Sequence, residues 1–230
     1  MAKVKQNVKK EEVLIDVAEV THEAQNWFET YKKPLLIGIG SIVVLIGASL
    51  WYKSNVAANQ KKAVAAMWQA EKMFERDSFA LALNNPGGGF EGFQGIASKY
   101  SSTPAGNLSK YYTGVCYLNL GKFDEAIKSL EDFSPAGEVT PTMKYGALAD
   151  AYSEKKDYSK ALKLYKEAAD AGGVDELKAF YLKRYGMLSE IQNDASSAAS
   201  AYKEIKEKYA QTQEARDIEK YIARAEAKKK

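Results

Sequence analysis

Histidine, cysteine and proline are scarce in this chain of 230 residues, which holds one His, one Cys and five Pro. A lone Cys has no internal disulfide partner, and His22 with Cys116 is too small a set to build a His/Cys metal cage. Excess charge of one sign is lacking as well. Thirty-three Lys and Arg oppose thirty Asp and Glu, leaving +3, and that balance excludes a strongly basic nucleic-acid binder on composition. A phosphate-binding loop is missing. Gly87, Gly88 and Gly89 run together, but the G-x-x-x-x-G-K-[ST] pattern is absent and no strand pattern precedes them, so the run reads as a flexible loop. Adjacent acids such as Glu131 and Asp132 read as an exposed helical face, with nothing to mark a glycosidase pair. Cofactors, nucleic acid and small-molecule substrates are therefore not expected.

What is present begins with a long apolar run. Leu35 to Tyr52 reads LLIGIGSIVVLIGASLWY, 18 residues without a charge. As a helix it spans about 27 Å, close to the ~30 Å hydrocarbon core of a bilayer. Tyr31, Lys32 and Lys33 precede it and Trp51, Tyr52 and Lys53 end it, the aromatic and lysine belts of a membrane interface. Pro34 is placed at the helix start, where a missing N–H is harmless. The 33 residues before the run exceed a usual signal-peptide leader, which favours an uncleaved anchor over a cleaved signal. Six Lys and six acids precede the span, and Lys53, Lys61, Lys62 and Lys72 follow it, so local charge does not fix the orientation. A long following domain crosses regardless of charge, and the expectation is a cytoplasmic N-terminus with the large domain outside. Gly40 and Gly47 share one face of the span, a place where a second helix can approach or simply glycines tolerated in lipid.

Before the span, residues 1–10 are lysine-rich and polar, a composition that predicts disorder. Val13, Val17, Val20, Ala24, Trp27, Phe28 and Tyr31 recur at three and four, predicting an amphipathic helix over 11–31. After the span, Val56 to Asp77 lacks Pro and Gly and reads as a helix, broken later at Asn84 to Gly89.

Self-similarity organises the rest. Gly114, Tyr117, Phe123, Ala126 and Leu130 are followed 35 residues later by Ala149, Tyr152, Tyr158, Ala161 and Tyr165. Gly186, Ala198 and Tyr202 lie 37 residues beyond Ala149, Ala161 and Tyr165, though Ser189 and Ala195 replace the expected aromatics. A degenerate earlier copy falls over 59–100. The small residues let two antiparallel helices approach, large side chains fill the flanks, and stacking of the next hairpin completes each core. Gly121 suits a helix end that requires positive φ. Ala215, Ile218, Tyr221, Ile222 and Ala225 share one face of a final helix whose other face is charged, as in a solenoid cap. Four segments result: an arm over 1–33, a span over 34–53, a juxtamembrane helix with the degenerate copy over 54–104, and repeats over 105–230. The repeats fall at about 105–138, 140–173 and 177–210.

Leu148, Ala149, Tyr152, Tyr158, Ala161, Tyr165 and Ala168 resemble a tetratricopeptide repeat (TPR), and the likeness covers roughly 105–225. The fold class implied is all-α: a single N-terminal transmembrane helix followed by a TPR-like α-solenoid of antiparallel helix pairs with a C-terminal capping helix. With one span near residue 40, Leu108 to Tyr112, and the stretch Ala215 to Glu226, the layout resembles a group of bacterial inner-membrane proteins related to the ancillary subunit of the Sec translocon. That resemblance implies a periplasmic repeat domain that contacts translocon subunits, chaperones or client polypeptides, a bilayer contact through 35–52, and no catalytic residues. Two other readings stand beside it, a TPR coordinator of cell-wall synthesis or division and, remotely, a hydrolase.

Repeats of this kind bind peptides on the concave face, lined by the first helix of each pair. Leu108, Tyr111, Val115 and Leu118 make an apolar stripe there, either free for a peptide or covered by the preceding copy. Asp150 and Glu154, then Lys183, Arg184 and Met187, occupy the same face in the later units, either orienting a partner or merely solvated. The basic and asparagine set of the family's carboxylate clamp is not found. Cys116 reads as a small buried hydrophobe.

Overall fold

The computed structural model describes the backbone of residues 17–229 and the side chains of 24–229. Residues 1–10, Val13, Lys230 and the side chains of Val17, Val20 and His22 lie outside the described residues. The chain divides into two compact units, Met1–Ser54 and Asn55–Lys230. No strand occurs among the described residues.

Helix α1, Val17–Phe74, runs through the apolar segment. Pro34 lies inside this helix rather than at its start. A proline removes one N–H and crowds the carbonyl four residues earlier, a defect that long helices absorb locally. Every residue from Leu35 to Tyr52 is exposed. One 18-residue window has a mean hydropathy of 2.1, so by length and composition the helix can cross a membrane. Two of its hydroxyls turn back on the helix: Thr30 Oγ1 donates to the Asn26 carbonyl and Ser41 Oγ to that of Ile37, a local bond that spares a hydroxyl the cost of standing unpaired in an apolar setting.

The second unit is a stack of helix hairpins. After α1 come α2 (Phe79–Asn84) and α3 (Phe93–Lys99). Three hairpins follow: α4 (Pro104–Asn119) with α5 (Phe123–Glu131), α6 (Thr140–Glu154) with α7 (Tyr158–Asp170), and α8 (Asp175–Ile191) with α9 (Ala195–Lys208). A short 3-10 turn, Gln213–Ala215, leads to α10 (Ile218–Ala227), which packs on α9.

Small residues set the helix spacing. A methyl group added at Gly114 would come within 2.5 Å of Leu130 Cγ, and one at Gly186 within 2.5 Å of Tyr202 Cε1. Ala149 is fully buried with Ala161 and Tyr165 in the middle hairpin. Close-packed interiors offer no slack for an extra methyl at such points.

The turn inside each hairpin repeats one geometry. Gly121, Lys156 and Asn193 have positive φ, and the next residue's N–H reaches back to the carbonyls of Tyr117, Tyr152 and Ser189. These are Schellman turns. Asp77 adopts the same conformation, with Ser78 N–H bonded to the Met73 carbonyl. That geometry identifies the end of α1 with α2 and α3 as a further hairpin, whose second arm is split by the loop at Gly87, Gly88 and Gly89, all of positive φ. Ala63, Met67 and Ala70 of α1 pack there with Phe93, Ile96, Ala105 and Cys116. Gln60 Oε1 accepts from Ala105 N–H at 2.9 Å and ties α1 to the start of α4.

Polar side chains tie the first helix of a hairpin to the loop that leaves that hairpin. Asn107 of α4 exchanges two hydrogen bonds with the Ser134 backbone. Thr142, 35 residues on, donates to the Gly172 carbonyl at 2.9 Å. Each pairs backbone groups of a loop with a helix side chain and so fixes where the loop runs.

Candidate functional site

The first helices of successive hairpins, α4, α6 and α8, lie in sequence and carry the residues singled out on the concave face. The structure distributes these residues among three environments. Leu108 packs against the cluster of α1, α3 and α4, while Tyr111, Val115 and Leu118 pack against Ala126, Ile127, Leu130 and the core of α6. The four are partly buried, so this stretch of the stripe is largely hairpin packing.

Asp150 and Arg184 are brought together. Arg184 Nη1 donates to Asp150 Oδ1 at 2.6 Å, and the Tyr165 hydroxyl donates to the same oxygen at 2.5 Å. The Tyr181 ring stacks on Tyr165 with centroids 6.4 Å apart and lies against Gly146, where a methyl group would overlap it. The Arg184 guanidinium sits 5.3 Å from the Phe180 ring centre and 5.8 Å from that of Tyr165, a cation–π arrangement. Burial raises the Asp150 carboxyl above its ordinary value, and the Arg184 charge and Tyr165 hydrogen bond offset part of that rise. Burial also raises Tyr111, Tyr165 and Tyr181, the last to about 12. These phenols stay protonated at neutral pH, and Tyr165 donates to Asp150.

Lys183 turns away from this group. Its ammonium pairs with Glu214 at 2.6 Å and lies 5.1 Å over the Tyr221 ring, so it serves the cap. Glu154 and Met187 are exposed. Met187 lines a concavity of about 290 Å³ with Glu190, Ile191, Arg224 and Lys228. Within it Glu190 is buried and receives Arg224 Nε at 3.0 Å, a second bond from Arg224 Nη2, and the Tyr202 hydroxyl at 3.1 Å. The Arg224 bond, then the Tyr202 bond and the Lys228 charge, hold its carboxyl below the ordinary value against the opposing effect of burial.

Sequence reasoning passed over Phe180, Ile191, Glu190, Arg224 and Lys228. Phe180, Arg184, Met187 and Ile191 follow at four, three and four, a helical stripe that was legible in α8. The Arg224–Glu190 contact was not, because it depends on how α10 docks. Cys116 is buried and its thiol is pushed up to about 12, which makes it unreactive at neutral pH. Among the described residues no group of three or more His, Cys, Asp and Glu is placed to hold a metal.

Two tetratricopeptide repeat family models match the chain, one over residues 109–134 and one over 145–178. These segments are the bulk of the hairpins α4–α5 and α6–α7. No curated protein matches. Among solved structures, nearly identical TPR-like repeats from Podosopora anserina, ascribed to a kinesin light chain, are similar with a TM-score of 0.58 and 12% identity. The match covers 74% of this chain and 87% of that one, and at this identity it speaks for the fold alone. The chain carries tetratricopeptide repeats, stacked as an all-helical solenoid.

Proposed function

We propose that this protein is a membrane-anchored TPR scaffold of protein export and envelope-protein biogenesis. The observation that carries the reading is the pairing of a charge-free stretch, exposed from Leu35 to Tyr52, with a repeat domain of an interaction type. An apolar helix left bare along its length needs lipid or protein around it. A repeat array offers a long surface for polypeptides. In this reading residues 35–52 cross a bacterial inner membrane, the N-terminus is cytoplasmic, and the repeats lie on the periplasmic side. Translocon subunits, chaperones or client polypeptides are the partners.

The test is photocrosslinking in intact membranes, followed by identification of adducts, with protease accessibility of the repeat domain in spheroplasts as the topology control. Adducts to a translocon subunit, a chaperone or an exported client are expected, with the repeats digested from outside. Absence of all three partner classes, or full protection of the repeats, overturns the assignment.

A further inference from the structure

We propose that the face of α8 beside α10 docks a polypeptide segment carrying two or three large apolar side chains flanked by carboxylates. The proposal rests on the interaction-scaffold reading and states where on the repeats the partner lies and what it carries. Phe180, Met187 and Ile191 are 39%, 43% and 66% exposed. They lie on one stripe of α8 that is about 16 Å long. Single exposed apolar residues are ordinary, but three aligned on one helix, two of them lining a concavity, are not. The earlier hairpins do not offer the same face. The matching positions in α4 are Leu108, Val115 and Asn119, of which the two apolar ones are packed into the core. In α6 they are Met143, Asp150 and Glu154, two of them acidic. The groove becomes apolar and open only at α8.

Charge selects the partner. The exposed Glu154 lies on α6, outside the lining of the concavity. Two acids at this face are hidden, with side-chain exposures of 23% for Asp150 and 5% for Glu190. The cations above them are not: Arg184, Arg224 and Lys228 are 41%, 49% and 54% exposed. Glu190 already accepts from Arg224 and Tyr202, and Lys228 stands 3.8 Å from it, beyond hydrogen-bond reach. The Lys228 ammonium keeps its donors for an incoming carboxylate. Beside the concavity solvent therefore meets an apolar stripe edged with positive charge, which attracts acidic segments and repels basic ones.

Fluorescence anisotropy on the full chain in neutral-lipid nanodiscs tests this. The probes are three fluorescein-labelled nonapeptides: one with three Leu or Phe residues among Glu, one with Lys in place of Glu, and one with Ser in place of Leu and Phe. The acidic apolar peptide is expected to bind, and both counterparts to bind at least about tenfold more weakly. Ile191→Glu and Lys228→Glu are each expected to weaken it by about fivefold or more, whereas Trp68→Ser on α1 leaves it unchanged. Ile191→Ser repeats the measurement should Ile191→Glu fail to fold by circular dichroism. Equal or tighter binding of the Lys peptide overturns the proposal, as does indifference to the position 191 and 228 variants. So does a change in particle size with Ile191→Glu in place of a change in peptide affinity, since a second copy of the chain would then be the occupant. Membrane adducts that form at other repeat positions alongside a negative anisotropy result would leave the scaffold reading standing and remove this one.

Discussion

Asp150 and Glu190 perform the same task in successive hairpins with different chemistry around them. Each lies on the first helix of its hairpin. Each accepts a hydroxyl from the tyrosine of the second helix, Tyr165 or Tyr202, and each accepts from an arginine 34 residues later, Arg184 or Arg224. The acid, tyrosine and arginine make a latch that binds a hairpin to the next helix in the stack. In the middle hairpin both donors crowd onto Asp150 Oδ1, and burial outweighs them. In the last hairpin Arg224 spans both oxygens of Glu190 and Lys228 adds its charge, so the carboxylate form is favoured despite deeper burial of the side chain. The comparison teaches that α10 is held as another first helix would be, and by the stronger ionic grip of the two.

The largest contrast is expected from removing the arginines. Arg224→Ala strands a buried carboxylate and is expected to cost about 2 kcal/mol, against about 1 kcal/mol for Arg184→Ala, whose acid is partly solvated. Urea unfolding of the full chain in detergent reads both, and equal costs would erase the distinction. A smaller effect separates the two acids by pH. The Glu190 contribution is present above its ordinary value of 4.5 and is lost as pH falls through its lower folded value. Asp150 acts in the opposite sense. Its cost is absent below its ordinary value of 3.8 and is fully present above its raised folded value. From about pH 6 to about pH 3, Glu190→Gln should therefore lose less stability than the natural protein, and Asp150→Asn should lose more. The smallest effect concerns Ser189, which stands where the other hairpins have Tyr117 and Tyr152. Its buried Oγ finds no hydrogen-bond partner among the described residues. Ser189→Ala is expected to stabilise by up to about 1 kcal/mol, read as a higher melting temperature.

The hairpin rhythm was legible because its cause is local in the pattern: Gly114, Ala149 and Gly186 recur where a larger residue cannot fit, and Leu130, Tyr165 and Tyr202 recur opposite them. The continuous α1 was less so. Pro34 reads as a helix start by residue preference, yet the helix passes through it. The turn at Asp77 carries no glycine, and Lys156 and Asn193 occupy positive φ without one, so the geometry that unites four hairpins rests on backbone hydrogen bonds that residue type does not reveal. The candidate site divides in the same way. The α8 stripe has a helical period that can be counted along the chain, whereas the latches join residues whose meeting depends on the completed stack.

The central claim is that a small residue facing a large one sets the approach of the two helices in each hairpin. A double-mutant cycle of Gly114→Ala and Leu130→Ala tests it most directly, with each variant unfolded in urea as the full chain in detergent. Leu130 Cγ is the atom nearest to a methyl group at position 114, so shortening it should relieve most of the clash. The account predicts a favourable coupling of about 1–2 kcal/mol, the double variant being that much more stable than the two single losses combined. Simple additivity would contradict it.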